Sequence, residues 1–276
     1  MTRAVTLALA ATLLGAATLL GAARGEAQGY GPVDLVTRPH VTIQLVPEAN
    51  GVVPGQPVEV ALRFTIEPGW HVYWGNPGAS GLATTVRWEL PAGFRAGPLR
   101  FPVPELDDVS GIRTHVHHGD VVFLTAITPP AATRLSPARV VAELHYGICR
   151  DACLAGTGRV AIDLPWVAKP VANPAWAPVL RLAEARAPLR GGGPAISAVI
   201  KESVAVLRVQ GDDLSERVTF FPSDRAVAPA ATSVPPRSGR RGVILTLPLT
   251  ATPAGLLHGV LVVGATGYEV SLPLKQ

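Results

Sequence analysis

The stretch Val140-Val141-Ala142-Glu143-Leu144-His145-Tyr146-Gly147-Ile148-Cys149-Arg150-Asp151-Ala152-Cys153 sets the reading of this chain. Val140 to Tyr146 is strand-length and rich in β-branched residues. Its apolar and polar positions alternate toward the end, as in a strand with one buried face. Beyond it stand the only two cysteines of the sequence. Arg150-Asp151-Ala152 between them is polar and turn-compatible, and three-residue loops commonly close hairpins. The spacing predicts that Cys149 and Cys153 are cross-strand partners at a hairpin tip, with Cα atoms about 5.5 Å apart. That lies within the range of about 4.4–6.8 Å that a disulfide spans. The pair would be joined when oxidised and would face solvent when reduced.

A bridge closing so small a ring adds little stability, about 2 kcal/mol in the chain-entropy model. A bridge serving stability alone does better by joining distant segments. The spacing therefore points to sulfurs that change oxidation state, with a small structural clip as the other reading. A thiolate is the attacking species in such exchange; Arg150 would favour it and Asp151 oppose it. The pair is not the thioredoxin-type C-x-x-C.

Working outward, 27 Pro and 28 Gly punctuate short apolar runs. Val41–Val46, Val58–Ile66 and Val121–Ile127 repeat the habit of Val140–Tyr146. Regular short strands with turn signals between them predict an antiparallel β-sandwich from about Val33 to Ala168. Asn173-Pro174-Ala175-Trp176 then opens a helical pattern, with Asn173 as cap and Pro174 at the first helical position. Trp176, Val179, Leu180 and Ala183 recur at helical spacing, and Pro188 and Gly191-Gly192-Gly193-Pro194 end it. Residues 169–194 read as connector helix plus linker. Strand-like runs return at Ile196–Val209, Val218–Phe221, Gly242–Leu249, Leu257–Val263 and Tyr268–Leu274. They predict a second, smaller β-sandwich over residues 195–276. It holds no cysteine and one histidine, His258, and reads as a structural or docking domain. The expected fold class is thus all-β, two sandwich domains joined by a short helix and linker.

At the N-terminus, Arg3 precedes a run from Ala4 to Ala22 that is almost wholly Ala, Leu, Thr and Gly, and Gly25-Glu26-Ala27 offers small residues for cleavage. Residues 1–27 read as a secretory signal peptide, with an uncleaved anchor helix as the alternative. Export places the cysteines where disulfides persist. No second long apolar run follows, so the mature chain is expected to be soluble and periplasmic. With 24 basic and 20 acidic residues, and Arg237-Ser238-Gly239-Arg240-Arg241 as the largest basic cluster, nothing supports nucleic-acid binding.

Other constellations carry weaker chemistry. In Thr114-His115-Val116-His117-His118 a strand would put His115 and His117 on one face. Two imidazoles can begin a copper or zinc site, and a thiolate pair suits Cu(I); a polar turn before the Val121 strand is the plainer reading. His71 and His145 read as isolated. In Gly69-Trp70-His71-Val72-Tyr73-Trp74-Gly75-Asn76-Pro77-Gly78 alternation puts Trp70, Val72 and Trp74 on one face, and His71 and Tyr73 on the other.

Four motifs in order carry a resemblance: Gly69 to Leu82, Thr84-Thr85-Val86-Arg87-Trp88-Glu89-Leu90-Pro91 to Phe94, Gly97-Pro98-Leu99-Arg100-Phe101-Pro102-Val103-Pro104-Glu105, and Tyr146 to Cys153. Over about residues 36–168 the chain resembles the N-terminal periplasmic domain of the thiol:disulfide interchange protein DsbD, in the branch that includes the copper-sensitivity suppressor ScsB. The second β domain resembles that branch more loosely, through Thr219-Phe220-Phe221-Pro222 and Leu257-His258-Gly259-Val260-Leu261. The resemblance implies an immunoglobulin-like sandwich whose redox pair, Cys149 and Cys153, passes electrons through mixed disulfides. Cys153 would attack and Cys149 resolve. No cofactor is implied. The implied partners are a membrane-embedded DsbD-type electron donor on another chain and periplasmic thioredoxin-like oxidoreductases. The family's multi-span membrane region and thioredoxin-like domain do not follow within these residues. His115, His117 and His118 stand where members more often carry a Tyr-Gly-Tyr-like segment, which keeps a metal reading open.

The expected function is that of a periplasmic dithiol/disulfide carrier, a component of protein-disulfide reduction. The competing readings are a copper-binding protein using the cysteines with His115, His117 or His118, and a non-catalytic adaptor with a structural disulfide.

Overall fold

A computed structural model describes residues 35–132, 136–211, 214, 217–225, 227, 231–232, 242–250 and 255–275. The signal-peptide reading of residues 1–27 and the basic cluster 237–241 lie outside them. Among the described residues the architecture is all-β with one short helix, as expected.

The first sandwich packs two antiparallel sheets. One has the order Leu35–Arg38, Val41–Pro47, Val58–Ile66, Asp120–Thr128, Arg95–Ala96. The other runs Cys153–Leu164, Ala138–Cys149, His71–Gly78, Ile112–His118, Glu105–Val109, and Thr85–Glu89 also pairs with Ala138–Cys149. Between them lies a core of alternating inward residues: Ile43, Leu45, Val60, Leu62, Phe64 and Phe123 from one sheet meet Val72, Val140, Leu144, Tyr146 and Ile148 from the other. Phe64 sits at its centre, edge-on to Tyr146 and 5.1 Å from the Phe123 ring. The period-2 alternation of the 58–66 and 138–149 strands follows from this, since each has one face on the core.

The helix is Ala177–Arg186, starting later than the sequence suggests. Asn173 closes a turn of its own ahead of it: its Oδ1 accepts from Ala175 N–H and its carbonyl from Trp176 and Ala177 N–H. Trp176 is the helix cap, and the proline of the first helical turn is Pro178, not Pro174. Leu180 and Ala183 bury against Val46, Ala61, Val122 and Leu124, the outer face of the five-stranded sheet. The segment after it is not a bare linker, because Leu189–Arg190 pairs in parallel with Thr266–Lys275.

The second unit forms from Ala195–Lys201, Val204–Gln210, Val218–Pro222, Ala231–Thr232, Gly242–Pro248, Leu256–Val263 and Thr266–Lys275. The 266–275 strand pairs with 256–263 along its length and with 195–201 at its end, so it links two layers around a core of Leu207, Phe220, Leu245, Leu247 and Leu261. This unit docks directly on the first. Trp74, Phe221 and Val260 form a shared apolar cluster with Phe101 and Val103. Asn76 Nδ2 donates to the carbonyls of Pro222 and Asp224, at 2.8 and 3.3 Å. At Gly267 the backbone passes so close to Val103 that a Cβ would lie 2.3 Å from its side chain.

Candidate functional site

The strands Ala138–Cys149 and Cys153–Leu164 pair residue for residue, from Ala138 opposite Leu164 to Cys149 opposite Cys153. Arg150, Asp151 and Ala152 form the tip, and the two cysteines are joined. Their Cα atoms are 4.2 Å apart, closer than the sequence spacing suggests. The value is near the ~4.5 Å of cross-strand pairs that exchange no main-chain hydrogen bonds. The guanidinium of Arg150 is held 5.1 Å above the Trp70 ring and hydrogen-bonds Asp151, so both charges at the tip are engaged.

The two cysteines differ sharply in exposure. Cys153 is exposed, whereas Cys149 is 2% exposed. Both were expected to face solvent. Cys149 is buried because the outer face of its strand is covered by Tyr73 and Val116. The Tyr73 hydroxyl donates to Cys149 Sγ at 3.1 Å and lies 3.6 Å from Cys153 Sγ. Two glycines make room for the ring. A Cβ at Gly147 would meet it at 3.1 Å, and one at Gly81, whose φ is 102°, at 2.2 Å. Burial, and then the charge of Asp107, push the Tyr73 pKa up, so the hydroxyl stays a proton donor.

The register explains which neighbours reach the sulfurs. Directly paired residues share a face. Cys149 pairs with His71, which in turn pairs with His118, so these three share the outer face. His71 is therefore not isolated: its ring is edge-on to Tyr73 at 5.2 Å and 5.5 Å from His118. Burial, then the neighbouring His118, lower its pKa. His145 is exposed, opposite Thr157 and Thr85, as a sheet-surface residue.

His115 and His117 point the other way. His117 pairs with Val72 on the core face and lies parallel to Phe101 and beside Phe123. His115 sits between Trp74 and Phe221, where its Nδ1–H donates to the Asn76 carbonyl at 2.7 Å. The structure thus separates the three histidines proposed as a metal set. Only His118 shares the face of the cysteines, and its Nδ1 is 3.3 Å from Glu105. Among the described residues no group of three or more His, Cys, Asp or Glu is arranged to hold a metal ion. The residue that sequence reasoning missed is Tyr73. Its parity with His71 put it on the correct face, but not opposite a cysteine strand.

Residues 42–165 match the family model described as thiol:disulfide interchange protein DsbD, N-terminal. That span contains the cysteine hairpin, Tyr73 and most of the first sandwich, so the resemblance read from the motifs is shown over this segment. The DsbD N-terminal domain is an immunoglobulin-like fold. Among solved structures, the N-terminal periplasmic domain of ScsB from Proteus mirabilis is 18% identical, with 88% of this chain and 97% of that chain covered and a TM-score of 0.65. The likeness extends the shared fold over both sandwiches. The periplasmic chaperone SfaE is 11% identical over 83% of this chain and 98% of its own, with a TM-score of 0.24, too low to bear on function. No curated protein matches the chain. A DsbD-type domain points to a thiol–disulfide redox role and to other thiol–disulfide redox proteins as partners.

Two outcomes follow from this geometry. Tyr73→Phe keeps the ring between its glycines but removes the donor to Cys149. A hydrogen bond to a charged group is worth about 1.5–3 kcal/mol, so at pH 7 dithiothreitol should open the bridge about tenfold more slowly. The equilibrium with dithiothreitol should shift toward the disulfide while the melting temperature barely moves; unchanged rate and equilibrium would contradict it. The second outcome concerns pH. Burial lowers His115 to about 4 and His117 to about 3, so both are neutral in the fold. Depressed folded pKa values give stability that is complete above the unfolded value of about 6.5 and is lost as pH falls below it. Urea unfolding between pH 6.5 and 5, above the carboxylate range, should lose up to about 2.7 kcal/mol per pH unit from these two groups, and the lowered His71 adds to it. His117→Leu should reduce the slope by about 1.4 kcal/mol per pH unit; a flat profile would contradict the assignment.

Proposed function

We propose that the protein is a periplasmic dithiol/disulfide carrier that passes reducing equivalents to partner oxidoreductases by thiol–disulfide exchange. The observation that carries this is the asymmetric bridge, in which one sulfur is exposed and the other is buried against a hydrogen-bond donor. A purely structural clip has no use for that asymmetry.

The chemistry runs in two halves. In loading, a donor thiolate attacks the exposed Cys153 Sγ. The Cys149–Cys153 bond breaks and Cys149 leaves as a thiolate, stabilised by the Tyr73 hydroxyl. The donor's second thiolate then attacks the mixed disulfide and releases Cys153, leaving the donor oxidised and the carrier reduced by two electrons. In unloading, the Cys153 thiolate attacks an acceptor disulfide, and Cys149 resolves the mixed disulfide and restores the bridge. The donor is a membrane-embedded DsbD-type protein on another chain, and the acceptors are periplasmic thioredoxin-like oxidoreductases. We assign residues 1–27 to a cleaved signal peptide, 33–168 to the redox domain, 169–194 to the connector and 195–276 to a docking domain. Periplasmic residence agrees with the origin of the ScsB domain, and among the described residues no helix is long and apolar enough to cross a membrane.

Trapping in the native periplasm tests the assignment. Cys149→Ala leaves the exposed attacking thiol without its resolving partner and should accumulate mixed disulfides with thioredoxin-like proteins. Cys153→Ala leaves only the buried thiol and should accumulate at least about tenfold fewer, following access. No mixed disulfides with either variant would overturn the carrier reading, and the reverse order would exchange the roles of the two cysteines.

A further inference from the structure

The strand that begins at Cys153 is the edge of its sheet, and its first residues carry none of the features that usually blunt an edge. Cys153-Leu154-Ala155-Gly156-Thr157 has no charge, no proline and mostly small side chains. Cys153, Leu154 and Ala155 are exposed. The strand Leu35–Arg38 lies alongside only farther on, where Arg38 Nε donates to the Thr157 carbonyl at 3.0 Å.

The hydrogen-bond pattern fixes which main-chain groups face outward. Gly147 N–H donates to Leu82, away from its cross-strand partner Ala155. The Thr157 carbonyl, opposite His145, likewise points off the edge toward Arg38. Alternate pairs share a type in an antiparallel ladder. The Gly147–Ala155, His145–Thr157 and Cys149–Cys153 pairs therefore exchange no main-chain bonds, which agrees with the 4.2 Å Cα separation of the cysteines. It follows that Cys153 and Ala155 each direct an N–H and a C=O off the open edge. Among the described residues no strand pairs with them there.

The reaction needs an approach from that side. Exchange at sulfur is an in-line displacement, with attacking, central and leaving sulfurs close to collinear. The leaving Cys149 lies toward the 138–149 strand and is closed off by Tyr73 and Val116. The incoming sulfur therefore arrives from beyond the Cys153 edge.

We infer that the partner docks by adding an extended, cysteine-bearing segment as a strand along Cys153–Thr157, hydrogen-bonded to the outward main-chain groups of Cys153 and Ala155. This rests on the carrier reading and names how its partners bind. On an added antiparallel strand, the residue facing Cys153 is of the hydrogen-bonded type, with Cα atoms about 5.5 Å apart. That falls inside the range of about 4.4–6.8 Å for a disulfide. Docking and mixed-disulfide formation thus share one geometry. Main-chain pairing supplies affinity without reading a particular side chain, and the exposed Leu154 on the same strand offers an apolar contact beside it. In the step itself the segment's thiolate forms a bond to Cys153 Sγ as the Cys153–Cys149 bond breaks, and the electron pair leaves on Cys149.

The test uses the oxidised full chain and three thiols: a seven-residue, strand-forming peptide with a central cysteine, the same peptide N-methylated at the amides that would face the edge, and dithiothreitol. The rate of bridge opening is read for each. The unmodified peptide should react about tenfold faster than its methylated form, the worth of one or two main-chain hydrogen bonds. Ala155→Pro removes an outward N–H that the sheet does not use; it should erase that advantage and leave the dithiothreitol rate unchanged. Equal rates for the two peptides on the native chain, or equal slowing of dithiothreitol by Ala155→Pro, would overturn the docking mode. A native dimer that Ala155→Pro converts to monomer would assign the edge to a second copy and overturn it as well. Failure of every thiol, dithiothreitol included, to open the bridge would remove the carrier reading itself.

Discussion

The pairing register of the strands 138–149 and 153–164 is the constraint on which the rest depends. Twelve consecutive residue pairs, from Ala138–Leu164 to Cys149–Cys153, fix where the sulfurs stand. The side-chain period of a strand is two, so a slip of one residue moves every side chain to the other face. Tyr146 and Ile148 in the core, and Gly147 and Cys149 on the outer face, are two consequences of one register. The large buried side chains on the inner face thereby hold the disulfide on the outer one. In the proposed carrier, stability and chemistry lie on opposite faces of the same strand.

The second constraint is the unequal burial that this register creates. Placing Cys149 opposite His71 brings Tyr73, two residues on, over Gly147 and next to the sulfur. In the proposed carrier, covering one sulfur and leaving its partner open turns a symmetric bond into a directed one: attack falls on Cys153, and the leaving sulfur is the one with a hydrogen-bond donor. The same arrangement limits the entry path to the open edge of the 153–164 strand. Electrostatics at the hairpin tip contributes little, because Arg150 is engaged by Trp70 and Asp151.

Much of this was legible in the sequence where the signal is local. The strand Val58–Ile66 matches its alternating run residue for residue, and the hairpin at 150–152 follows from loop length and turn chemistry. The helix start was misplaced because Asn173 has the chemistry of a cap but uses it on a separate turn. What the sequence hid was long-range pairing. Tyr73 and Cys149 are 76 residues apart, and alternation assigns a face without naming the strand that lies beside it. For the same reason alternation puts His115 and His117 on one face without saying which side of the sheet that face meets. Alternation could not tell that their face meets Phe101, Phe123 and Phe221 instead of the cysteines. The docking of the second unit, through Trp74, Asn76 and Phe221, rests on contacts that no local pattern encodes.

The reduction potential of the Cys149–Cys153 couple tests the central claim most directly. It is read from equilibrium with defined dithiothreitol ratios by mass-shift labelling of free thiols. A carrier must be reduced by one partner and oxidised by another, so the account predicts a potential above about −300 mV, within reach of redox proteins. A value below about −300 mV, the range of bonds that serve structure alone, would contradict it.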